Sequence, residues 1–126
     1  MPKKAVANNP FCGRWRIVSM DQWDQDFVDE EEEGYFEFSD KGNGEFHFGF
    51  VHGHMDCQLS TRHGEPLVEW SWDGNDEMDA AKGRGWAILN GDELNGMIFF
   101  HCGDDSGFVA KKKSKAPSKP RKKETE

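Results

Sequence analysis

Residues 45 to 50 read Glu-Phe-His-Phe-Gly-Phe, with a large ring at every second position, and Val68-Glu69-Trp70-Ser71-Trp72 repeats the spacing. Tyr35-Phe36-Glu37-Phe38 follows it less cleanly. A β-strand sends successive side chains to opposite faces, so each segment has one aromatic face to bury and one to leave in water. The pattern commits the chain to sheet and names no reaction. Gly, Asn and Asp punctuate eight such segments, at about 13–20, 35–39, 45–51, 54–60, 67–72, 84–90, 94–101 and 107–111. Asp40-Lys41-Gly42-Asn43-Gly44 and Asn90-Gly91-Asp92-Glu93 suit hairpin turns because their residues tolerate positive φ, and His52-Gly53 is expected to form another tight turn.

Eight short antiparallel strands, each with one apolar face, predict an all-β fold: an up-and-down meander barrel, with a two-sheet β-sandwich as the alternative. Closure is preferred because it removes exposed strand edges. The expected core is Trp15, Ile17, Phe36, Phe38, Phe46, Phe48, Phe50, Met55, Cys57, Leu59, Val68, Trp70, Trp72, Trp86, Ile88 and Phe108. The apolar run Met97-Ile98-Phe99-Phe100 predicts a strand covered on both faces. One short helix or lid is expected in the first long connection, where Trp23 and Phe27 stand four apart and Asp21, Asp24 and Asp26 crowd the start. The run Glu30-Glu31-Glu32-Glu33 reads as solvated.

A chain of 126 residues suits one domain. The barrel is expected over residues 11–111, after a flexible stretch at 1–10 and before a disordered basic tail at 112–126, since neither end holds enough apolar surface to offset the entropy of ordering. Charge is divided unevenly. Residues 111–126 carry eight basic and two acidic groups, a net +6, while residues 1–110 carry eight basic against twenty-two acidic groups, a net −14. Such a body repels phosphate backbones, so no nucleic-acid contact is expected through it; the tail is left for weak, salt-sensitive contact with a polyanion. Cys12, Cys57 and Cys102 form no Cys-x-x-Cys pair, which argues for reduced thiols rather than a zinc site or a disulfide framework. With no signal-like apolar run and no membrane span, the expectation is a cytoplasmic protein.

Gly13-Arg14-Trp15 resembles the Gly-x-Trp opening of the lipocalin and wider calycin barrels. The resemblance implies a Trp in the first strand that closes the barrel bottom and a long first loop, here 21–34, over the mouth. It also implies a basic residue from the last strand, for which Lys111, Lys112 and Lys113 are the candidates. The second lipocalin motif is absent. The chain is similar, too, to short bacterial proteins that combine a Gly-x-Trp start with an acidic Trp-Asp-x-Asp segment, a likeness that carries no activity with it.

In a meander the connections alternate between ends, so the first, third, fifth and seventh must share one. That end gathers Asp21, Trp23, Asp24, Asp26 and Phe27, then His52 and His54, then Asp73, Asn75, Asp76, Glu77 and Asp79, and finally His101, Cys102, Asp104 and Asp105. Oxygen-bearing side chains at 73, 75, 77 and 79 suit a hard cation, but Met78 stands where an EF-hand loop needs glycine. His52, His54 and His101 with Asp56, Asp104 or Asp105 make a candidate divalent transition-metal set. No Gly-x-Ser-x-Gly elbow or cysteine nucleophile setting is present, and no catalytic residue or resident cofactor is assigned. The leading expectation is a non-enzymatic barrel binding a small apolar or aromatic ligand at the acidic end, through Trp23, Phe27, Phe48, Phe50, Trp70 and Trp72. Its alternatives are an interaction module docking a basic protein surface on the acidic rim, and a metal-dependent enzyme.

Overall fold

The aromatic alternation lies on extended backbone at 35–38, 45–48 and 68–72, and pairing carries the sheet well beyond it. The computed structural model describes residues 9–113. The strands are β1 (Gly13–Met20), β2 (Tyr35–Phe38), β3 (Asn43–Phe48), β4 (Val51–Arg62), β5 (Glu65–Asp76), β6 (Asp79–Asn90), β7 (Glu93–Phe100) and β8 (Asp105–Lys112), with a single-turn helix α1 (Gln25–Val28) between the first two. Each strand pairs antiparallel with the next, and β1 pairs with β8, so the sheet closes into an up-and-down barrel. Closure excludes the sandwich.

The interior is filled by rings. Phe36 lies 4.5 Å from Phe108, 5.4 Å from Phe46 and 5.5 Å from Trp70, centroid to centroid, and Phe46 lies 5.0 Å edge-on from Trp72. Glycines opposite the large rings make this possible. Trp70 pairs with Gly85, Trp72 with Gly83 and Phe46 with Gly53, and in each pair the ring lies over the bare backbone of its partner. A Cβ on Gly85 would sit 2.5 Å from the Trp70 indole, and one on Gly53 would sit 2.5 Å from the Phe46 ring. Alternating large and small residues in this way is how a narrow barrel fills its lumen without a void.

The end opposite the long loop is closed by Phe11 and Trp15, both 1 % exposed. The Trp15 indole N–H donates to the Phe11 carbonyl at 2.8 Å, and Phe11 meets Phe38 edge-on at 6.1 Å. Lys112, paired with Trp15 across the β1–β8 seam, holds its ammonium 4.7 Å from the Trp15 ring and donates to the Cys12 carbonyl at 2.7 Å. Strand β8 therefore runs one residue past the expected boundary, and Lys113 N–H still reaches the Arg14 carbonyl at 3.0 Å. At the other terminus Asn9 is tied in, its side chain accepting from Phe11 N–H at 2.8 Å. The expectations for residues 1–8 and 114–126 lie outside the described residues.

Several local readings change. The reversal expected at His52-Gly53 occurs at Gly49-Phe50, where Gly49 takes the positive φ of 58° that the tight turn requires. His52 and Gly53 belong to β4, whose polar residues pair as readily as apolar ones because the ladder satisfies backbone groups whatever the side chain. Phe50 consequently sits in the turn, Leu59 is 40 % exposed on the long β4–β5 arm, and Trp86 and Ile88 face outward. The register explains the last pair: Glu69 faces Trp86, so the inner positions of β6 are Gly83, Gly85 and Ala87. Met97 and Phe99 also lie half-buried on the outer face while Ile98 faces in, so among the described residues no second layer covers β7.

Replacing Gly85 with valine should lower the unfolding free energy by about 1–3 kcal/mol or more, because a buried indole has to move. Lys82→Val, on the outer face of the same strand, should stay within about 0.5 kcal/mol. Chemical denaturation of the two variants beside the parent checks this.

Candidate functional site

The four odd-numbered connections do share one end, and backbone hydrogen bonds tie the first, third and fifth to one another and the seventh to β6. Gly49 N–H donates to the Val28 carbonyl at 2.9 Å, Glu77 N–H to that of Phe50 at 3.0 Å and His101 N–H to that of Lys82 at 2.8 Å. The long loop is fastened where it leaves β1: the buried Ser106 hydroxyl accepts from the amides of Asp21 and Gln22 at 3.1 and 3.2 Å. Further along, Asp24 caps α1 by accepting from Phe27 N–H at 3.0 Å.

This loop acts as a stopper. The Trp23 ring lies 5.3 Å from Phe48 and 5.9 Å from Phe100, and Phe27 packs edge-on against Phe50 at 6.0 Å. Of the six residues expected to line a ligand site, Trp23, Phe27, Phe48 and Phe50 thus form one cluster at the mouth. Trp72 joins it through Phe100 at 5.1 Å, and Trp70 lies deeper, against Phe36 and Phe38. Each of the six packs against neighbouring rings, the mouth residues largely against one another and Trp70 against Phe36, Phe38 and Phe108.

Asp29 anchors the lid to the barrel wall. Its carboxylate accepts from Gly34 N–H at 2.8 Å and from Gln25 at 3.1 Å, and pairs with Arg16 at 3.0 Å, while Gln25 also donates to the Ile17 carbonyl. Partial burial would by itself raise the Asp29 pKa, but the Gly34 amide, the Gln25 side chain and the Arg16 guanidinium outweigh it and hold the carboxyl below its ordinary value.

The rim itself is acidic and exposed. Among the described residues, Asp76, Glu77, Asp79, Asp104 and Asp105 are exposed and none is in a salt bridge. The oxygen ligands expected at residues 73–79 do not form a loop. Asp73 and Asn75 lie on β5, the turn is Glu77-Met78 with Glu77 at φ 57°, and the Asn75 amide donates to the Glu77 carbonyl at 2.9 Å.

The histidines sort differently from the sequence expectation. His54 faces outward on β4 between Glu45 and Asp73, and it lines an open outer cleft of about 900 Å³ with His101, Asp56, Lys82 and Arg84. Asp104 precedes and Asp105 begins β8 at the exposed rim. His54, His101 and Asp56 share that cleft, but among the described residues they are not a group of three ligating atoms within 4.8 Å of one another. His52 instead stacks on His47, with ring centroids 3.8 Å apart, and both approach Glu31. Among the described residues, Glu31, His47 and His52 are the group of metal-ligating side chains whose donor atoms all lie within 4.8 Å of one another. His47 and Glu31 were invisible from the pattern because His47 occupies the wet face of its strand and Glu31 a run of four glutamates. The available signal was the turn: a reversal at 49–50 puts residues 47 and 52 opposite each other.

All three cysteines are free, and Cys57, on β4, has its thiol pushed up to about 12 by burial and by the nearby Asp56 charge, which suits packing and not nucleophilic attack. No helix of the described residues is long and apolar enough to cross a membrane. Comparison with protein-family models, curated proteins and solved structures gives no significant match to this chain.

Because a depressed carboxylate pKa stabilises the fold above the ordinary pKa and loses that contribution as pH falls, Asp29→Asn should cost about 1–3 kcal/mol near neutrality and progressively less toward pH 3. Paired denaturation curves at several pH values measure the closing gap.

Proposed function

We propose that the protein is a non-enzymatic interaction module that docks a basic protein surface on its acidic long-loop rim. One observation carries this reading: the lumen is packed ring against ring, while unpaired carboxylates at two connections, the fifth and the seventh, stand exposed at one end. A solid barrel leaves recognition to its outside. Crowded carboxylates repel one another, and a cationic partner relieves that repulsion on binding. Surface charge of this kind sets association rate and partner choice more than it sets the fold.

Kinship with the lipocalin and calycin barrels is part of the proposal. It is supported by the closed meander, by Trp15 at the barrel bottom and by Lys112, a last-strand cation resting on the first-strand indole. Reduced thiols at Cys12, Cys57 and Cys102 support a cytoplasmic setting.

A second reading, a small apolar or aromatic ligand entering beneath the lid, draws support from Trp23 and Phe27 being only half-buried at the mouth. It requires both rings to leave Phe48, Phe100 and Phe50, and the Asp29 and Ser106 anchors oppose that movement.

Binding of a fluorescent lysine-rich peptide, followed by anisotropy from low to physiological salt, separates the two. The rim reading expects affinity to fall at least tenfold with salt and to be lost when Asp76, Glu77, Asp79 and Asp104 become Asn or Gln. Neutralising Asp40, Glu65, Asp92 and Glu93 at the opposite end should leave binding within about twofold on the same electrostatic argument. Equal losses in the two quadruple variants would sink the rim as a site. Stabilisation by apolar compounds, insensitive to salt, would favour the ligand reading.

A further inference from the structure

His47 is an unusual occupant of a strand's outer face, since it is 3 % exposed and surrounded by oxygen. Its Nδ1 lies 2.7 Å from the Glu32 carboxylate, and its Nε2 lies 3.0 Å from Glu31 and 3.1 Å from the Gly49 carbonyl. Three acceptors thus converge on one ring. On the same side, His52 presents its Nε2 at 3.5 Å from the same Glu31 oxygen.

From this arrangement we infer that Glu31, His47 and His52 form a binding site for a divalent transition ion of the zinc type. The donor set is two imidazoles and one carboxylate, which suits zinc and its neighbours and is too nitrogen-rich for calcium or magnesium. Spacing agrees. A tetrahedral zinc with bonds of about 2.0–2.1 Å holds its donors about 3.3 Å apart, and the two distances to Glu31, 3.0 and 3.5 Å, bracket that value. The ligating nitrogens of the two stacked rings lie within 4.8 Å of each other, so an ion would turn the exposed His52 ring toward the buried His47.

The surroundings supply what such a site needs beyond its ligands. Glu32, accepting from Nδ1–H of His47, favours the tautomer whose Nε2 lone pair can coordinate, the carboxylate–histidine–metal relay common at zinc sites, and an ion bound there would replace the contact of Nε2 with the Gly49 carbonyl. Burial holds the His47 ring in place, whereas His52 and Glu31 are half exposed and give the ion a way in. Two protein elements meet at the site: the β3–β4 hairpin provides both histidines, and the long loop provides both glutamates. An ion bound there would clip the lid to the barrel wall, a role separate from the carboxylates of the rim and independent of whether they bind a partner.

The test uses the full chain without an affinity tag and with Zn²⁺ alone as the probe, read by calorimetric titration and by the shift in thermal midpoint. The site predicts one ion per chain at micromolar affinity or tighter, with a rise in midpoint that grows with free zinc. His52→Ala and Glu31→Gln alter exposed side chains that the fold does not need, and each should weaken zinc binding at least tenfold. His54→Ala, two residues along the same strand face, should leave it unchanged. Absence of saturable binding by the parent would overturn the inference. So would zinc binding that survives both His52→Ala and Glu31→Gln, or that is lost equally with His54→Ala.

Discussion

The rest of the molecule depends on the packing of indole and phenyl rings onto bare glycine backbone across the barrel. Trp70 over Gly85, Trp72 over Gly83 and Phe46 over Gly53 are cross-strand pairs, so the contact that fills the lumen also fixes the register of two hairpins, β5–β6 and β3–β4. A slip of one residue in β6 would aim Arg84 and Trp86 into a space already taken by Trp70 and Trp72. Register and packing are therefore one constraint, and the outward position of Trp86 follows from it.

Filling the lumen has a second effect, because a barrel that stores its rings inside must find its chemistry on the surface. The long loop shows how that surface is organised. Its aromatic side, Trp23 and Phe27, is spent on closing the mouth; its polar residues are spent on attachment, through Asp29, Gln25 and the amides held by Ser106. What remains exposed is acidic. The same loop also brings two glutamates against a buried histidine, so a segment that reads as charged filler determines the environment of His47.

Much of this was legible in the chain. Aromatic alternation marked β2, β3 and β5, turn residues marked the hairpins at 40–44 and 90–93, and parity alone placed the odd-numbered connections at one end. Legibility failed where side chains stop reporting on backbone. Residues 73–76 and 79–83 look like an acidic loop, yet they pair as strand because their neighbours offer a ladder to complete. The turn at Gly49-Phe50 was hidden by an alternation that runs straight through it, and misplacing the turn separated His47 from His52. Trp86 and Ile88 were assigned to the core on hydrophobicity, a property that says how much a residue gains from burial and nothing about which face of the sheet it occupies. Gly83 and Gly85 carried the missing information, since small residues on alternate positions mark the face that receives large rings.

The seam between the first and last strands carries one more implication. Lys112 reaches the Cys12 carbonyl and Lys113 N–H the Arg14 carbonyl, so the two ends of the barrel chain leave it side by side, at the end away from the lid. The barrel is in effect a ring of eight strands cut at one of eight equivalent junctions. Joining residues 9 and 113 by a short linker and reopening the ring at the exposed Gly91 turn would preserve all eight pairings in a new chain order. Circular rearrangement would then change the order in which strands find one another during folding while leaving the folded barrel unaltered.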